Sequence, residues 1–184
     1  VEIVGRALVW GLLAFWMVRH LLLPVQTGAI NYTFLHLVHL VFHEAGHIVF
    51  LPLGEFMATA GGTLMQLLMP VICLGTFLFK YQNTFGGAVA TWWLGHSCLD
   101  VAPYAQDARS QSLMLLGGVT GKDVPGYHDW NNMLGQLGWL RYDHAIGAGF
   151  YWVGAALMAA ALIWGAALLV RQWGRRPSWA PTRR

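Results

Sequence analysis

The chain has 184 residues, of which 10% are charged and 57% hydrophobic, with a formal net charge of +3. Soluble domains carry about 25% charged residues, so a water-soluble globule, a disordered segment, a disulfide-stapled secreted module and a nucleic-acid binder are all poor readings. A mean hydropathy of +0.49 points instead to a chain that lies mostly in lipid.

A membrane span needs about 20 mostly apolar residues. Five segments approach this, so the expected fold is all-α: a polytopic integral membrane protein with a single membrane domain over residues 1–184. The first span covers residues 6–24 and is interrupted by Arg19 and His20. A signal-peptide core or an interfacial helix would also fit it, but no convincing small-residue cleavage site follows. The second, third and fourth spans cover residues 32–53, 63–81 and 84–108. Residues 110–144 form the long polar segment, with the Gly-rich run GGVTGKDVPGYHDW, and read as one structured loop. The fifth span, residues 145–170, has no charge and is rich in Gly and Ala, which lets helices approach closely. Cys73 and Cys98 lie in apolar stretches and read as small buried hydrophobes.

Residues 171–184 form a basic tail with Arg171, Arg175, Arg176, Arg183 and Arg184, which the positive-inside rule places in the cytoplasm. Counting back through five spans puts Arg19 and Lys80 inside too, and the N-terminus outside. Glu2, Glu55, Asp107, Asp123, Asp129 and Asp143 then all fall outside, which leaves Glu44 and Asp100 within the membrane.

Ionisable groups in a span are costly and therefore point to function. The second span contains His43-Glu44-Ala45-Gly46-His47, an HExxH pattern. On a helix, residues i and i+4 lie one turn apart on the same face, so both imidazoles can reach one metal ion, with Glu44 beside it to take a proton from bound water. Tetrahedral catalytic zinc needs a third protein ligand and one open position. The fourth span offers a polar stripe of His96, Asp100, Tyr104 and Asp107, with Asp100 at its middle.

The site resembles that of the membrane-embedded zinc metalloproteases of the site-2 protease type. HEAGH at His43 to His47 and the later pair Leu99-Asp100 carry the resemblance. It implies one zinc ion held by His43, His47 and Asp100, with Glu44 as general base. The implied substrate is a transmembrane or membrane-adjacent peptide. The chain departs from the family pattern in having Val101 after the aspartate and Pro103 beyond it, and no PDZ-like domain is expected.

His36 and His39 extend the histidine face of the second span and read as supports for the zinc ligands, as a second metal site or as a haem contact. His96, Tyr104, Asp107 and His128 are further supports or alternative ligands. His128-Asp129-Trp130 reads as a loop-ordering cluster, a lid or the source of a fourth ligand. Gly62, Thr63 and Gln66 open the third span, where they would contact an extended substrate or permit tight helix packing.

The expected function is intramembrane zinc endopeptidase. The rival is a non-proteolytic, protease-like subunit or scaffold of a larger membrane complex; a haem or di-iron oxidase is a third, weaker reading. Expected partners are the lipid bilayer and either a transmembrane protein substrate or neighbouring membrane subunits. The expected location is a bacterial inner or cytoplasmic membrane.

Overall fold

The computed structural model describes residues 2–174; Arg175, Arg176, Arg183 and Arg184 lie outside the described residues. Among the described residues there are six α-helices and no strand: α1 Glu2–Leu21, α2 Phe34–Phe50, α3 Glu55–Gly75, α4 Thr84–Gln106, α5 Asp129–Gln136 and α6 Asp143–Gly174. Four helical stretches are long and apolar enough to cross a membrane: Glu2–Leu21, Phe34–Leu53, Glu55–Lys80 and Leu140–Gly174.

Local chemistry explains the breaks. Pro24 precedes two short 3₁₀ turns, Val25–Thr27 and Ala29–Tyr32, separated by Gly28 at φ 60°. Pro52 and Gly54, at φ 98°, turn the chain from α2 into α3. A π-turn, Thr76–Lys80, finishes α3, and Asn83 then caps α4 by accepting the Gly86 N–H at 2.9 Å. The third expected span starts earlier than its apolar pattern, at Glu55, because Gly61 and Gly62 continue the helix.

Helix order across the bundle is α1, α6, α4, α3, α2, each packed on the next. Glycines set the close approaches: a Cβ on Gly95 would stand 2.7 Å from the Gly154 carbonyl oxygen of α6, and one on Gly61 would stand 2.5 Å from the Gly46 carbonyl oxygen of α2. α4 falls short of the four membrane-length apolar helices because polar residues interrupt it, yet the others enclose it. Its residues from Gly95 to Pro103 are all buried.

Direction follows from cross-helix contacts. Arg6 donates to the Gln172 side-chain oxygen at 3.1 Å and Trp10 to the Leu162 carbonyl at 2.9 Å, while Tyr151 donates to the Leu21 carbonyl at 3.2 Å. α1 therefore runs antiparallel to α6, and its start lies at the same end of the bundle as the end of α6. Counting five spans places these termini on opposite faces, and the difference lies in α2. The turn before α2 meets Leu113 at Gly28, and residues from Asn31 to His47 line one cavity together with loop residues Met114 to Gly117. α2 then meets the first turns of α3 through Gly46 and Gly61. It lies alongside the polar loop and begins and ends at that end of the bundle, although its length, about 25 Å, would suit a crossing.

The loop after α4 is ordered by Asp107. Its carboxylate accepts the backbone N–H groups of Ser112 (3.0 Å) and Leu113 (2.9 Å) and the hydroxyls of Ser110 and Ser112. Short α5 then packs Trp130, Met133 and Leu134 onto Ala60, Val101, Ala105 and Ala108. A second apolar cluster, Ile30, Trp92, Leu99, Met158 and Ala161, joins α4 to α6 and to the turn before α2.

Candidate metal centre

α2 presents His43, Glu44 and His47 with one ligand atom of each within 4.8 Å of the others, a group that could hold a metal ion. Two contacts set the imidazole tautomers. His47 Nδ1 lies 2.8 Å from the Ala58 carbonyl oxygen, which can only accept, so Nδ1 carries the hydrogen. Gln66 Nε2 faces the Asp100 carboxylate at 2.9 Å and the Ser97 carbonyl at 3.4 Å, two acceptors, so the Gln66 oxygen must be the atom turned to His43 Nδ1 at 3.3 Å. His43 Nδ1 is thus also the donor. Both Nε2 atoms are left with their lone pairs for a cation.

Those lone pairs meet Asp129, the first residue of α5. Its Oδ2 stands 3.0 Å from His43 Nε2 and 3.4 Å from His47 Nε2. Ligands held about 2.0–2.1 Å from a tetrahedral ion stand about 3.3 Å apart, so each of the two imidazole–carboxylate separations suits a shared ion. Tyr104 fixes the carboxylate, donating its hydroxyl to Oδ2 at 3.2 Å and accepting the Asp129 N–H at 2.9 Å. Burial pushes the Asp129 carboxyl up, but with a proton on each Nε2 in the place of a cation, hydrogen bonds and charge from His43 and His47 outweigh it and bring it down to about 2. Asp129 is therefore an anion across the physiological range.

Asp100, the third ligand expected from the family resemblance, sits elsewhere. Its carboxylate accepts His36 Nδ1 at 3.0 Å and Gln66 Nε2 at 2.9 Å and lies 3.3 Å from His39 Nδ1; the carboxylate that meets both motif imidazoles is that of Asp129. His39 is buried, its Nε2 3.3 Å from Ser97 Oγ. His96, fully buried, shares a hydrogen bond with His20 of α1 at 2.6 Å and stacks on Trp92.

The remaining expected residues support the centre or the loop. His128 accepts the Asn131 N–H at 3.1 Å, capping α5, and its Nε2 faces Asp107 at 3.4 Å, so the pair anchors the helix that carries Asp129. Gly62 lies against the motif: a Cβ there would stand 2.5 Å from His43 Nε2. Thr63 is buried, and its hydroxyl has no hydrogen-bond partner among the described residues.

A cavity of about 470 Å³ adjoins the centre, with His36, His43, Glu44, His47, Asp129 and Tyr104 on its polar wall and Leu37, Leu40, Val101 and Leu115 among its apolar lining. Glu44 makes no hydrogen bond or ion pair among the described residues, which leaves its carboxylate free to receive a proton.

Fold and site define an all-helical chain with membrane-length apolar helices and a His43-Glu44-His47 group able to hold a metal ion. No family model, no curated protein and no solved structure matches it.

Proposed function

We propose that the chain is an intramembrane zinc endopeptidase that cleaves transmembrane or membrane-adjacent peptides, with zinc held by His43, His47 and Asp129. The observation that carries this is the convergence of two imidazole lone pairs and one carboxylate oxygen, spaced 3.0 and 3.4 Å, beside a free glutamate on the wall of a partly apolar cavity. In the family that the HExxH helix resembles, the corresponding glutamate is the general base.

A bound zinc ion would polarise the scissile carbonyl and lower the pKa of a water molecule. Glu44 takes the proton from that water as its oxygen attacks the carbonyl carbon. It returns the proton to the amine nitrogen as the C–N bond breaks, leaving a carboxylic acid and an amine. Tyr104 holds Asp129 in place throughout, and the Ala58 carbonyl and Gln66 keep His47 and His43 in the tautomers that offer Nε2.

The chain is proposed to sit with α1, α3, α4 and α6 crossing the bilayer and α2 folded into the half nearer the polar loop. Arg6, Lys80 and Arg171 then share the end of the bundle from which the basic tail continues, and the positive-inside rule assigns that end to the cytoplasm. Water reaches the centre from the opposite face.

Cleavage of a transmembrane reporter by the full-length chain in vesicles tests the activity. Glu44→Gln should abolish cleavage while zinc is retained, and full cleavage by that variant would refute the mechanism. A zinc-free chain that copurifies tightly with other subunits would favour the scaffold reading.

A further inference from the structure

The polar cluster beneath the metal centre continues past Gln66 to Asp100, which the proposed reaction does not use. Asp100 is buried at 5% exposure in the middle of α4 and accepts hydrogen bonds from His36 Nδ1 and Gln66 Nε2 at 3.0 and 2.9 Å, with His39 Nδ1 at 3.3 Å. Ser97 Oγ lies 3.3 Å from His39 Nε2, so a hydroxyl donated there leaves the His39 hydrogen on the nitrogen facing Asp100. Donors from two helices, α2 and α3, therefore converge on one buried carboxylate.

One of those donors reports directly to the metal centre. The Gln66 amide cannot reverse, because its oxygen would then face the Asp100 carboxylate and the Ser97 carbonyl oxygen. Asp100 thus sets Gln66, and Gln66 sets the tautomer and ring orientation of His43. We propose that Asp100 and Gln66 are positioning residues that fix His43 as a metal ligand, with Asp100 acting one hydrogen bond further from the metal through the Gln66 amide. This rests on the zinc reading above. It gives Asp100 the role of a hydrogen-bonded anchor in place of the ligand role expected from sequence, and it explains His36 and His39 as further groups that face that anchor.

Outer partners of metal-binding histidines are worth about 10–100-fold in affinity, which sets the scale of the test. Zinc affinity of the full-length chain in detergent is measured by competition with a chromogenic chelator, beside ¹⁵N-histidine spectra of the metal-free protein. Gln66→Leu should weaken zinc about 10–100-fold and leave His43 as a mixture of tautomers. Asp100→Asn, nearly isosteric, keeps an acceptor for the Gln66 amide and should lose no more than about tenfold, the low end of the same range. Asp100→Leu releases the amide and should match Gln66→Leu. Combining Gln66→Glu with Asp100→Asn retains an acceptor at His43 Nδ1 and moves the charge one residue closer, so it should restore wild-type affinity, which a merely space-filling role would not predict.

Unchanged zinc affinity in Gln66→Leu would overturn the proposal. So would a loss in Asp100→Asn as complete as that of Asp129→Ala, because Asp100 would then be a ligand. A wild-type chain that binds no zinc defeats the metal reading separately; the spectra still decide the positioning role, which fails if wild-type His43 carries no hydrogen on Nδ1.

Discussion

Gly62→Ala separates metal binding from folding. Gly62 lies inside α3, where alanine is favoured over glycine by about 1 kcal/mol. The added methyl, however, would stand 2.5 Å from His43 Nε2 and 2.8 Å from both neighbouring ring carbons. An ordinary carbon contact needs about 3.5 Å, so the imidazole must retreat by roughly 1 Å. Metal–ligand distances tolerate about 0.2 Å, and Gln66 and Asp129 hold the ring on both sides, so this retreat takes Nε2 out of the ligand set. The expected result is a loss of zinc affinity of at least about 100-fold, or about 2.7 kcal/mol, with the metal-free thermal midpoint near that of the parent. Isothermal titration of zinc into the purified chain, beside thermal unfolding of the metal-free form, reads both quantities. Wild-type zinc affinity in the alanine variant would refute the placement of His43 Nε2 at the metal.

Gly46→Ala should behave in the opposite manner: its Cβ would fall on the backbone carbonyl of Gly61, so α2 and α3 must separate. A destabilisation of at least about 2 kcal/mol is expected, whereas Gly5→Ala, with open space around it, should be neutral or stabilising in the same thermal assay. Burial raises the Asp107 carboxyl, but hydrogen bonds from His128, Ser110, Leu113 and Ser112 outweigh this and hold it well below the usual carboxylate range. A depressed folded-state pKa contributes stability above the unfolded value, about 3.9, and loses it as pH falls further. Hydrogen exchange of the Ser112 and Leu113 amides, corrected for intrinsic rates, should therefore show constant protection from about pH 7 to 5 and falling protection below about pH 4. In Asp107→Asn this acid dependence should disappear.

The parts of the site carried by helical periodicity were legible from sequence. His43, Glu44 and His47 follow from i, i+4 spacing, and the stripe of His96, Asp100 and Tyr104 does line the polar side of α4. Periodicity could not rank the carboxylates on that side. Asp129 follows a Gly-rich loop and reaches the imidazoles only because Tyr104, Asp107 and His128 hold the start of α5 against α4. Those are tertiary contacts between residues far apart in the chain, with no local pattern to announce them; the nearest signal was the polar run His128-Asp129 itself. Gly62 and Gln66 were visible as small and polar residues at the right depth, but their roles depend on which way His43 points.

The same limit applies to the fold. Hydropathy finds α2 because its composition matches a membrane span, but whether such a helix crosses depends on where its ends are tied. The Gly28 turn at Leu113 and the Gly46–Gly61 approach tie both to one end of the bundle. A count of five crossings expects α1 and α6 to run parallel, whereas they run antiparallel, as the Arg6–Gln172 contact shows.

The central claim is that His43, His47 and Asp129 form one zinc-binding set. X-ray absorption at the zinc edge of the zinc-loaded full-length chain tests it most directly, read alongside zinc stoichiometry in Asp129→Ala and Asp100→Ala. One zinc per chain is expected, with two imidazoles and a carboxylate oxygen at about 2.0–2.2 Å. The carboxylate should vanish in Asp129→Ala and remain in Asp100→Ala. A wild-type chain without zinc, or a carboxylate lost only in Asp100→Ala, would contradict the account.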